Sequence, residues 1–436
     1  MSPFADRTGH SRFHSGLFDA YLKRLKKASA NPRPRAASDP KRVSQWMSTW
    51  SNAYDRQFDV RRPDLLQFGM LLGRFAETHS QHIVAEVVLD RLADSAAQGE
   101  SWISSPASVL ITAGEYNRRR GNLDRAESRY NEARSLLERD LAQVDSRPPI
   151  HRELGRVFYE LGYLERLRGN AEATRSTFER SEAECDLAND ELGAEIARTV
   201  LALVSYEEGF AATAIGGLTE SLARLKKLAN DPKIKEAGRD ALARRWVSNS
   251  QYHLVQAHLA GGNTPIARRL IVKLGNEQGP SITGLVTAKR IEAQLFLAEG
   301  DLGLASDAIG ASWEAIEQQG DLMSTELAAA TVAFAGVTHA LEGSSESALS
   351  CFEQACSLPA DLHNRRAQGW AWAGRAILAK EAGDRVTSLA AVHEGLTVVQ
   401  RCGAPIRAFL MELLRSGCST EGGPVLDDLK ALVCRS

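Results

Sequence analysis

Seven glycines, at positions 121, 169, 209, 262, 300, 343 and 383, sit in one recurring register. In the best copies the glycine is followed by Asn, Asp or Ser, then by an alanine five residues on and an apolar residue four further. Gly121 leads to Ala126 and Tyr130, Gly300 to Ala305 and Ile309, and Gly343 to Ala348 and Phe352. Ala214 and Ala267 hold the same place after Gly209 and Gly262, while Thr174 and Ser388 deviate from alanine. Seven residues before each glycine stands Gly114, Gly162, Ala202, Val255, Ala293, Gly336 or Ala376, small in every copy but the Val255 one. A weaker copy comes earlier, with Gly73, Ala85, Leu89 and Leu92 in register and Ser80 in place of the turn glycine. A supersecondary unit repeated in this way cannot bury its apolar face alone and stacks on its neighbours. That also solves the problem of length, since 436 residues exceed what one core serves.

The pattern resembles the tetratricopeptide repeat. In that family the small residue before the turn lets helix A approach helix B, the alanine after it does so from the B side, and larger apolar residues fill the gaps. The glycines here are 38 to 53 residues apart, against ~34 in the usual repeat. This is similar to the long-helix variant found in bacterial regulators and sensors, with Asp145 to Pro149 and Asn230 to Pro232 as candidate loops. The resemblance implies an all-α, right-handed superhelical solenoid of antiparallel helix pairs, about seven to eight repeats closed by C-terminal capping helices. The expected divisions are a basic segment over 1–40, N-terminal helices with a degenerate repeat over 41–105, repeats over 106–400 and the cap over 401–436.

The net charge of −2 hides an asymmetry: residues 1–62 hold 13 Lys+Arg against 5 Asp+Glu. Within them Leu17, Phe18, Tyr21, Leu22 and Leu25 line one helical face, with Lys23, Arg24, Lys26 and Lys27 off it. Pro32, Pro34 and Pro40 mark a linker behind this helix. Three roles stay open for it: docking on the array's own groove or a partner, a solvated tail, or contact with an anionic surface. The excess charge is too dilute to favour nucleic acid.

Motifs that encode catalytic geometry locally do not occur: no GxxxxGK[ST], HExxH or GxSxG, and no GxGxxG behind a strand. Six cysteines lack a CxxC pair, which fits neither a zinc site nor a disulfide framework and agrees with a reducing cytoplasm. No catalytic residue, metal or cofactor is expected. No stretch is long enough to span a membrane, and no secretory signal opens the chain.

In the family, A-helix positions six, three and two before the small residue, and one and four after it, face the concave groove. Those offsets select Thr112, Glu115, Arg118, Arg156, Tyr159, Glu160, Tyr163 and Arg166, then Asn249, Tyr252, His253 and Gln256, then Arg290 and Gln294. Arginine and amide side chains can hold a peptide by its backbone and by bidentate contacts to carboxylates, so a peptide with acidic residues is the favoured ligand. Ala330, Ala333, Phe334, Val337, Trp370 and Ile377 form an apolar stretch that suits a helix, either from a partner or from Leu17 to Leu25. The opposing expectation is a tight interior that meets nothing foreign. The function so implied is a non-catalytic adaptor or scaffold that binds another protein or an extended peptide; a peptide-sensing regulator is the alternative, and self-association is left open.

Overall fold

The computed structural model describes residues 18–26, 40–55, 62–78, 82–99, 105–120, 122–143, 147–277, 282–319, 325–357, 365–399, 404–418 and 423–435. Every regular element among the described residues is a helix. The chain divides into two compact units, Met1–Glu160 and Leu161–Ser436. The division falls inside a helix, where no shift of composition marks it.

The first unit holds α1 (18–26), α2 (Pro40–Tyr54), α3 (Arg62–Thr78), α4 (His82–Ala97), α5 (Pro106–Arg119), α6 (Leu123–Leu141) and the start of α7 (Pro148–Arg168). The second continues with α8 (Ala171–Leu187), α9 (Glu191–Glu207), α10 (Ala211–Ala229), α11 (Pro232–Glu236), α12 (Asp240–Ala260) and α13 (Thr264–Glu277). It ends with α14 (Ile282–Glu299), α15 (Leu302–Gln319), α16 (Thr325–Leu341), α17 (Ser345–Ser357), α18 (Arg365–Glu381), α19 (Arg385–Val398), α20 (Ala404–Arg415) and α21 (Leu426–Arg435). Helices pack in consecutive pairs, α3 with α4, α5 with α6, α12 with α13, α14 with α15, α16 with α17 and α18 with α19. The prolines that end the two expected loops begin helices: Pro148 and Pro149 open α7, and Pro232 opens the five-residue α11, while Asn230 and Asp231 lie between helices. Proline in a first helical turn loses no hydrogen bond, because that N–H has no helical acceptor.

The glycine register now has a backbone reason. Gly169, Gly209, Gly262, Gly300, Gly343 and Gly383 each lie between the two helices of a pair with φ between +74° and +90°, left-handed turns that a side chain would strain. Gly121 lies outside the described residues. Asn170 and Asp384 then cap the following helices, accepting from the backbone N–H of Ala173 and Thr387.

The small residues before the turns face the large residues sixteen positions on. A Cβ on Gly73 would fall 2.7 Å from Leu89, on Gly114 2.4 Å from the Tyr130 ring, on Gly162 3.1 Å from Phe178 and on Gly336 2.5 Å from Phe352. Each glycine is thus the socket for its partner's side chain. Tyr130, Phe178 and Phe352 are fully buried as a result. No described helix is long and apolar enough to cross a membrane.

α20 packs on α18 and α19, at the end of the series. α21 touches α20 and lies across α12, α14, α16 and α18, the first helices of four pairs.

Candidate functional site

In the first unit the selected charges neutralise one another. Arg118 donates through Nε to a Glu160 carboxylate oxygen at 3.0 Å, and Tyr130 Oη donates to the same oxygen at 3.1 Å. Arg156 on α7 donates to Glu115 on α5 at 2.5 Å. Burial pushes the Glu160 carboxyl above its ordinary range, with Arg118 offsetting part of the shift. Burial would raise Glu115 too, but the Arg156 guanidinium beside it prevails and holds it below its usual value. Tyr159 lies half-buried on α7. Arg118 and Arg156 therefore join neighbouring helices in this unit through ion pairs.

The head is likewise committed. Phe18 is fully buried, its ring edge-on to Phe68 of α3 at 4.9 Å, and Leu22 and Leu25 are buried with it. Tyr21 is half-buried, under Arg24, and Leu17 lies outside the described residues. The apolar face expected to offer a second contact is spent on the chain's own first unit. Apolar surface of that size does not stay in water when a core is within reach.

The second unit gathers the rest. Arg166, His253, Gln256, Arg290 and Gln294 converge on one cavity of about 80 Å³, together with Leu203, Tyr206, Glu207, Ala330, Arg366, Ala367 and Trp370. Arg166 at the end of α7 makes a two-pronged ion pair with Glu207 at the end of α9, at 3.0 and 2.5 Å. Burial alone would raise the Glu207 carboxyl, yet Arg166 outweighs it and the group ends below its ordinary value. Tyr163, one turn before Arg166, lies under its guanidinium at 5.2 Å. Arg366 sits over the Tyr206 ring at 5.4 Å and over Trp370 at 5.9 Å, cation–π contacts that fix its charge at the cavity wall. His253 Nδ1 and Gln256 Oε1 are 3.2 Å apart. Loss of hydration, reinforced by Arg166, pushes the His253 imidazole down to about 4, so it is neutral near pH 7. Three arginines and one glutamate line the cavity.

Two selected residues turn out otherwise. Tyr252 donates from Oη to the Gly284 carbonyl at 3.2 Å, joining α12 to α14, and Asn249 is half-buried on α12 outside the cavity lining. Conversely Leu203, Tyr206, Glu207, Arg366 and Ala367 belong to the lining without having been selected. Leu203 and Tyr206 fall one and four residues after Ala202, so the same offsets, carried through the third repeat, find them.

The apolar stretch also has an occupant. Ala330, Ala333, Phe334, Val337, Trp370 and Ile377 share one buried cluster with Leu429, Leu432 and Val433 of α21. Gln294 donates from Nε2 to the Val433 and Cys434 carbonyls at 3.0 and 3.1 Å.

No family model and no curated protein matches the sequence. Solved structures do. One match is a Rap conjugation gene regulator of the plasmid pLS20 in complex with the Phr* peptide, at 12% identity and a TM-score of 0.53, over 91% of this chain and 96% of that one. A second is a Rap protein complexed with Competence and Sporulation Factor, at 12% identity and a TM-score of 0.55, over 89% of this chain and 99% of that one. The fold is a tetratricopeptide-like array of helix pairs. In this tetratricopeptide-like array the turn glycines and their sockets hold the stack together, and the cavity residues lie outside that packing.

Proposed function

We propose that the chain is a non-catalytic adaptor or regulator that holds a partner protein or peptide against the first helices of the pairs in its second unit. The observation that carries this reading is the convergence of Arg166, His253, Gln256, Arg290 and Gln294, scattered over 129 positions from first to last, on one cavity lined by three arginines. A partner with an acidic side chain fits best, because a carboxylate there meets guanidinium groups held in place by Tyr206, Trp370 and Glu207. The Phr* peptide in one of the two similar structures supports a peptide as the form of the ligand. The peptide-sensing regulator is the version of this reading in which the ligand is short and free; the adaptor is the version in which it is part of a larger protein.

The test is affinity capture from native lysate with two full-length baits, the natural chain and Arg290→Glu with Arg366→Glu. A protein or peptide retained by the first and lost, by a factor of about 100 or more, from the second is expected, since reversal of two charges at a cavity wall costs several kcal/mol. Equal retention on both baits would remove the cavity from the function. Circular dichroism of the variant, unchanged, would separate lost binding from lost folding.

A further inference from the structure

α21 is ten residues long, too short to hold a helix by itself in water. Its order comes from where it lies. Leu429 and Val433 are fully buried and Leu426 partly so, giving apolar positions at i, i+3 and i+7, the spacing by which a helix seats in a groove. Asp427 and Asp428 stay exposed in its first turn, where they favour the helix dipole.

Both ends are held through the backbone. At the start, Lys380 Nζ donates to the carbonyls of Gly423 and Pro424 at 3.3 and 2.7 Å. At the end, Gln294 Nε2 donates to Val433 and Cys434. Contacts to carbonyls do not read side-chain identity, so this groove can grip any helix of suitable length and apolar face. Lys380 lies four residues after Ala376 and Gln294 one after Ala293, both at the offsets that face a ligand. The Gln294 amide oxygen is buried without a hydrogen-bond partner, a donor-seeking atom at the junction of this groove and the charged cavity. A helix whose only role was to seal the array's end would pack on α19 and α20 alone; α21 touches α20 and crosses four first helices.

We propose that the inner face of α12, α14, α16 and α18 is a helix-receiving groove in which α21 is a displaceable resident. The partner it fits is a short amphipathic helix with leucine or valine at i, i+3 and i+7. This rests on the proposed use of the second unit for binding, and it adds that binding competes with the chain's own helix.

The test uses the full-length chain and a fluorescein-labelled synthetic peptide of residues 423–435. In the natural chain the tethered α21 competes at high effective concentration, so the peptide binds weakly. In Leu429→Asp with Val433→Asp the resident is evicted, and the peptide is expected to bind at least tenfold tighter. Equal affinity for the two chains, or no saturable binding to a folded variant, overturns the proposal. Because the variant exposes apolar surface and could fail to fold, hydrogen exchange on the ¹⁵N-labelled natural chain supplies an independent reading. Excess peptide is expected to speed exchange of the α21 amides while α16 and α18 keep theirs; α21 amides as protected as those of α16, and unmoved by peptide, overturn it. The charge-reversal capture can fail while peptide 423–435 still competes, and the converse, so the two readings fall separately.

Discussion

The two units treat the same kind of residue in opposite ways. In the first, Arg118 and Arg156 face Glu160 and Glu115 one for one, and the charges cancel between neighbouring helices. In the second, Arg166 takes Glu207, and the cavity wall carries Arg290 and Arg366 besides. A repeat scaffold can therefore pair a groove-facing arginine with a carboxylate of the next helix or seat it over an aromatic ring. The local count of carboxylates decides which, because a buried guanidinium is stable only near a compensating charge or ring.

Substitutions sharpen this contrast. Arg118→Met should have the largest effect, about 3–5 kcal/mol in urea unfolding, since it strands the buried Glu160, and it should leave partner capture intact. Packing is where the units should not differ: Gly114→Ala and Gly336→Ala each push a methyl into a ring, Tyr130 or Phe352, and should each cost about 1–3 kcal/mol in thermal melts. A marked inequality would mean that one unit's sockets are softer. Arg166→Met should cost less, about 1–2 kcal/mol, because its pair with Glu207 is partly open to water, yet it should weaken capture where Arg118→Met does not.

A further contrast is a pH dependence of the second unit. The His253 imidazole titrates at about 4 in the fold, below its ordinary 6.5, among Arg166, Arg290 and Glu207. The unfolded chain therefore takes up the proton first as pH falls. Stability from this group is full above pH 6.5 and is lost as pH drops toward 4. The urea midpoint of the natural chain should decline more steeply across that window than that of His253→Gln; identical slopes would remove His253 from the account.

Much of this was legible beforehand. The glycine register marked the turns that the backbone then made with positive φ, and the sixteen-residue spacing from socket to ring follows from one turn of fixed length between two helices. The groove offsets found Arg166, His253, Gln256, Arg290 and Gln294, and they also reach Tyr206 and Lys380 when applied to every repeat. Glu207, five residues after Ala202, and Arg366, ten before Ala376, lie off those offsets; helix ends splay toward a neighbour in ways that no single register describes. The ion pairs of Arg118 and Arg156 were not foreseen, because a groove-facing position says which way a side chain points and nothing of the acid on the next helix. The head helix was read correctly as amphipathic, but amphipathicity does not name the surface that covers it; Phe68 did.

The sequence by itself determined the repeating unit, because steric needs at a turn and at a close helix crossing are local and leave glycine or alanine at regular intervals. Which side chains of the first helices converge on one cavity, and that α21 lies across four of those helices, only the tertiary structure decided. Those outcomes depend on pairs such as Gln294 with Val433, 139 residues apart, and no periodicity in a chain reports a contact between positions that far separated.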